Sequence, residues 1–140
     1  MNQLKVIDGA RTLDGANSGI DLTPISVASA NNRSGPGFDM SGHLELLVSV
    51  QAGVINTSVV VVVQESNDNS NFTNISGASV NMTATNTHKV MSVNWKHPDR
   101  QKYARVNAVA AGGGASLIGV ASLRVHPADV VDADDSVTAV

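Results

Sequence analysis

The chain has 140 residues and no cysteine, which fits a single domain held together without disulfides or thiolate metal sites. A formal charge of −3 argues against a nucleic-acid binder, and no run of 18 apolar residues gives a membrane span. Hydrophobic residues make up 42% of the chain but aromatics only 3%, so the core must be built largely of valine and alanine. Such side chains bury little area each, at about 25 cal/mol per Å² of apolar surface. Further burial, from oligomerisation or docking on a large partner, is therefore expected.

Residues 1–42 read as an extended N-terminal arm or loosely paired edge segment. Met1 to Asp8 lacks the basic-then-apolar layout of a signal peptide. Gly9, Gly15, Gly19, Gly35, Gly37 and Gly42 punctuate short apolar pieces such as Ile20-Asp21-Leu22 and Ile25-Ser26-Val27. One strand is expected near Pro24 to Ala30, and Asn31 to Gly37 has the composition of a loop.

Residues 43–127 read as a β-sandwich domain. His43 to Gln51 alternates, placing Leu44, Leu46, Val48 and Val50 on one face. Val59 to Val63 is a run of five β-branched residues, the pattern of a strand buried on both faces. Ser66 to Asn71 has turn chemistry, so Phe72 to Ile75 starts the return strand of a hairpin. Strands follow around Ser79 to Ala84, at His88 to Trp95 with Met91, Val93 and Trp95 on one side, at Lys102 to Ala110 and at Ala115 to His126. Gly112-Gly113-Gly114 predicts a hairpin loop. Six or seven short strands and no helix predict an all-β fold, a β-sandwich or jelly roll. Residues 128–140 form an acidic tail carrying Asp129, Asp132, Asp134 and Asp135.

No residue pattern names a reaction. Asp68 to Asn71 lacks the sixth-position Gly and the late Glu of a calcium loop, so it reads as a polar hairpin tip. His43, His88, His97 and His126 show no metal-ligand spacing, and there is no Gly-x-Ser-x-Gly elbow. The Gly112–Gly114 triplet lacks the Lys-Ser/Thr of a phosphate cradle. No catalytic residue, metal ligand or cofactor site is expected, nor a small-molecule ligand. Five glycosylation sequons follow from the Asn, Ser and Thr content. Trp95 is either a core plug closing one end of the sandwich or an aromatic anchor at an interface.

Three pieces in order carry a resemblance. They are the valine strand ending in Gln64-Glu65-Ser66-Asn67-Asp68 before Asn71-Phe72-Thr73-Asn74-Ile75, then Lys89 to Trp95, then Lys102-Tyr103-Ala104-Arg105-Val106. Over residues 44 to 126 this layout resembles small β-sandwich structural proteins of tailed bacteriophages, the capsid decoration or cement protein above all. The resemblance implies a non-enzymatic virion protein on the outer capsid surface, assembled in the host cytoplasm. It also implies bridging of major capsid protein subunits and a homo-oligomer, often a trimer at three-fold sites. The acidic tail has no place in that pattern.

The expected capsid or subunit contacts are Ile20, Leu22, Ile25, Val27, Arg33 and Phe38 of the arm, with Trp95, Arg100, Lys102 and Arg105 of the sandwich. The alternatives are a carbohydrate-binding or adhesin module on a phage head or tail, favoured if Trp95 and Tyr103 share one exposed patch, and a tail or baseplate component.

Overall fold

The computed structural model describes residues 20–27 and 32–125, with side chains from Ser26 onward. Nine strands are found among them and no helix. They are β1 (Ile20–Val27), β2 (Asn32–Ser34), β3 (Phe38–Asp39), β4 (Glu45–Ala52), β5 (Val59–Ser66), β6 (Thr73–Met82), β7 (His88–Asn94), β8 (Tyr103–Ala110) and β9 (Ser116–Val125). Two antiparallel sheets result. Sheet I runs β1-β9-β4-β7; sheet II runs β2-β8-β5-β6, with β3 also paired to β8. The protein is a β-sandwich.

Strict alternation builds the two inner faces. In β4, Leu46, Val48 and Val50 are fully buried, and their cross-strand partners in β9 include Val120 and Ser122. In β8, Ala104, Val106, Ala108 and Ala110 point inward while Tyr103, Arg105, Asn107 and Val109 take the other face. Beside them in the same sheet, Val59, Val61 and Val63 of β5 are completely buried. Met40, Met82, Ile118 and Trp95 fill the larger gaps between these small side chains.

The valine run behaves as its sequence suggests, with one difference. Val62 is buried on the outer side too, but Val60 is 36% exposed. On this side burial is least at Val60, nearly complete at Val62 and Gln64, and complete at Ser66.

Three further features depart from the sequence reading. The return strand after the hairpin and the strand expected near Ser79 are one strand, β6, broken by a bulge. Val62 pairs with Ser79 and Gln64 with Asn74, so Val63 alone faces Ile75, Ser76, Gly77 and Ala78. Gly77 holds φ +79° there, a conformation that glycine adopts without strain. Second, Gly112–Gly114 is no hairpin loop, because β8 and β9 lie in different sheets. Gly113 and Gly114, at φ +100° and +127°, let the chain cross the sandwich against Asn56 and Thr57 of the β4–β5 crossing. Third, residues 20–42 supply three strands. β1 pairs with β9, and β2 and β3 pair with β8, so glycine and proline shorten these strands without preventing edge pairing. Residues 1–19 of the arm, the acidic tail and the His126-Pro127 strand end lie outside the described residues.

Candidate functional site

The outer faces of the two sheets differ in chemistry. On sheet I, the rows Ser92–Leu47–Leu123 and Val90–Ser49–Ala121 run across β7, β4 and β9. Leu47 and Leu123 are half-buried, Val90 is 59% exposed and Leu117, further along β9, is 41% exposed. Polar side chains are interspersed among these apolar ones: Ser92, whose Oγ donates to Glu45, Ser49 of the central strand, whose Oγ lies 2.8 Å from His88 Nε2, and the exposed Gln51.

The outer face of sheet II is polar and cross-linked toward the hairpin end, with Val60, Val62 and Val109 toward the other end. Arg105, in the middle of β8, donates from Nε to Gln64 Oε1 at 2.7 Å. Gln64 in turn donates from Nε2 to Asn74 Oδ1 at 2.8 Å, tying β8, β5 and β6 together. The Arg105 guanidinium carbon stands 4.2 Å from the centre of the Phe72 ring. Phe72 abuts the Gly35–Gly37 turn at its ring edge: a Cβ at Gly37 would meet Phe72 Cζ at 2.9 Å and would overlap the Asn69 side chain. Tyr103 lies on the same face with Lys102 Nζ 5.2 Å from its ring centre, and Asn107 accepts from Ser34 Oγ at 2.8 Å.

The two carboxylates beside this face are already occupied. Asp68 accepts from Asn71 and Ser70 backbone N–H groups, from Asn71 Nδ2 and from Ser66 Oγ. These bonds hold its pKa far below the ordinary carboxylate value. Asp39 is lowered as well, first by its hydrogen bonds to Ser41 and then by the charge of Lys102.

At one end of the sandwich, Trp95 is 7% exposed and donates from Nε1 to the Gln101 carbonyl at 2.9 Å. Glu65 accepts from Gln101 N at 3.0 Å and lies 3.6 Å from Arg100 Nε. The β6 bulge opens a cleft of about 290 Å³ beside this end, reached by Ser76, Ser92, Asn94, His97 and Arg100. Among the described residues no three His, Asp or Glu side chains converge as a metal site.

The expected contact residues are scattered by this geometry. Val27 is completely buried and Trp95 nearly so, which spends both on the protomer's own core. The indole therefore closes the sandwich and does not share an exposed patch with Tyr103. Arg100 is turned inward to Glu65. Phe38 packs against the core, with the Arg124 guanidinium 5.8 Å from its ring centre. Arg33 and Lys102 are exposed, and Arg105 sits in the network of sheet II. The side chains of Ile20, Leu22 and Ile25 lie outside the described residues. Gln64, Phe72 and Asn74 were not singled out as site residues by sequence, although Phe72 beside a polar hairpin tip was a usable signal.

No protein-family model matches the chain, and no curated protein matches it by sequence. Solved structures do match its shape. The PBSX exported protein XepA superposes with a TM-score of 0.60 at 19% identity, covering 76% of this chain and 36% of XepA. The enzymatically active domain of bacteriophage CBA120 tailspike protein 4 gives 0.50 at 11% identity, over 84% of this chain and 21% of that one. A family 4 carbohydrate-binding module also gives 0.50 at 11%, over 79% of this chain and 83% of the module. The chain thus spans about a third of XepA and a fifth of the tailspike structure. What these likenesses establish is a β-sandwich fold shared with proteins of phage origin and with carbohydrate-binding modules.

Proposed function

We propose that the chain is a non-enzymatic structural protein of a tailed-phage particle, decorating the outer capsid surface and stabilising it by bridging major capsid protein subunits. The observation that carries this reading is the set of exposed and half-buried apolar side chains Leu47, Leu123, Val90 and Leu117 on the outer face of sheet I. Single surface hydrophobics are ordinary, but four on one sheet face offer apolar area that a partner surface can bury. β1, from the arm region, forms the edge of that same sheet and extends the contact surface. The shared fold with XepA and a phage tailspike domain supports a phage setting. A homotrimer at three-fold positions is the assembly proposed. Light scattering of the free protein at three times the 14.4 kDa chain mass supports it, and a monomer in both free and head-bound states refutes it.

The test of the main reading is co-sedimentation of purified protein with expanded phage heads. Val90→Lys with Leu117→Lys is expected to abolish attachment while leaving the fold intact. Attachment unchanged by both substitutions contradicts the sheet I contact.

A second reading, a saccharide-binding module on the particle, is favoured by the network of Arg105, Gln64, Asn74 and Phe72 on the opposite face. The two readings use different faces, so each can be tested without disturbing the other.

A further inference from the structure

We propose that the outer face of sheet II binds a carboxylate-bearing saccharide, with the Arg105 guanidinium as the fork that takes the carboxylate. The inference rests on the saccharide-binding reading and narrows it to acidic sugars.

Arg105 is held before any ligand arrives. Its Nε is engaged by Gln64, which is itself fixed by Asn74, and its plane lies over Phe72. Phe72 is held in turn by the close approach of Gly37. An arginine restrained this way loses little rotamer freedom on binding. Its terminal amino groups take no acceptor among the described residues, whereas Arg100 is turned to Glu65. Asp39 and Asp68, the nearby acids, are committed to Ser41 and to the hairpin tip. A guanidinium fixed in place, with no carboxylate partner among the described residues, is suited to a planar anion that accepts two parallel N–H bonds.

The surroundings favour a sugar over a protein side chain. The accessible polar side chains around Arg105 are the amide of the exposed Asn74 and the hydroxyl of the half-buried Tyr103. These donate to and accept from sugar hydroxyls. A protein partner generally needs a buried apolar anchor, and the Phe72 ring beside Arg105 is already covered by the guanidinium. The exposed Val60 pairs with Val109, four residues along β8, at about 13 Å by strand rise. Lys102, next to Tyr103, adds a second positive charge near the face.

The test is calorimetric titration of the full chain with oligogalacturonate, oligoalginate and sialyllactose, each beside its methyl ester. Binding to at least one acid and little to its ester is expected, with Arg105→Gln losing roughly 10- to 100-fold in affinity. Arg105→Lys should recover only part of that loss, because a lysine cannot form the fork. Circular dichroism of both variants checks that the sandwich is intact. Equal binding of acid and ester leaves the saccharide reading standing and overturns the acidic-sugar inference. Binding that survives Arg105→Gln also overturns it. No binding to any member of the panel overturns both.

Discussion

Trp95 separates a core role from an interface role, and its replacement gives a number to test. The indole is 7% exposed, and its Nε1 donates to the Gln101 carbonyl at 2.9 Å. A buried tryptophan removes on the order of 150–250 Å² from water, or about 4–6 kcal/mol at 25 cal/mol per Å². Partial collapse of the site and a more compact unfolded chain reduce this, so Trp95→Ala should cost about 3–5 kcal/mol. For a chain of this size that lowers the melting temperature by roughly 10–20 °C. Trp95→Phe keeps much of the ring volume but leaves the Gln101 carbonyl without its donor, and should cost about 1–2 kcal/mol. Urea denaturation followed by circular dichroism measures both. As the single tryptophan, Trp95 also reports its own burial by a blue-shifted emission in the free protein. A Trp95→Ala variant within about 0.5 kcal/mol of the parent, but defective in attaching to heads, would refute the core assignment.

Three further predictions follow from separate parts of the molecule. Val90→Lys and Leu117→Lys, on the outer face of sheet I, should each change stability by less than about 0.5 kcal/mol in the same denaturation experiment. A larger loss would mean that this face is buried within the protomer. Gly37→Val forces a side chain against Phe72 and Asn69 and should cost about 1–3 kcal/mol, whereas Gly77→Ala meets open space and suffers only its left-handed backbone, about 1 kcal/mol. Equal costs at the two glycines would contradict the packing of the Gly35–Gly37 turn on the hairpin. Asp39 and Asp68 have pKa values lowered in the folded state, so their contribution is present above the unfolded carboxylate value near 3.8 and is lost as pH falls below it. Asp68→Asn should therefore lower stability at neutral pH and flatten the acid limb of the stability profile, read by thermal melts from pH 7 down to pH 2. An unchanged acid limb would show that the hairpin-tip bonds do not form in solution.

The sequence was informative where a side chain's role depends on its own strand. Alternation in Leu44 to Val50 and in Met91 to Trp95 set the inner face of β4 and β7, and the valine run marked β5. It was weaker where the outcome depends on a neighbour distant in the chain. Gly112–Gly114 serves a hairpin or a crossing equally well, and the choice falls to which sheet β9 joins. The bulge at Ile75–Ala78 is a mismatch between two strands, invisible in either alone. Arg105 was marked as a surface cation, but its restraint comes from Gln64, 41 residues away, and from a ring seated by Gly37. Val27 read as one apolar residue of an arm; pairing of β1 with β9 is what carries it into the core.

The most direct measurement of the central claim is the protein's own location: peptide mass spectrometry of purified phage particles from the source in which the chain is expressed, with heads and tails separated. The account predicts that the chain is present in many copies per particle and stays with the heads after the tails are removed. Its absence from particles that are otherwise complete, or its recovery with tails alone, would contradict a capsid-decorating role.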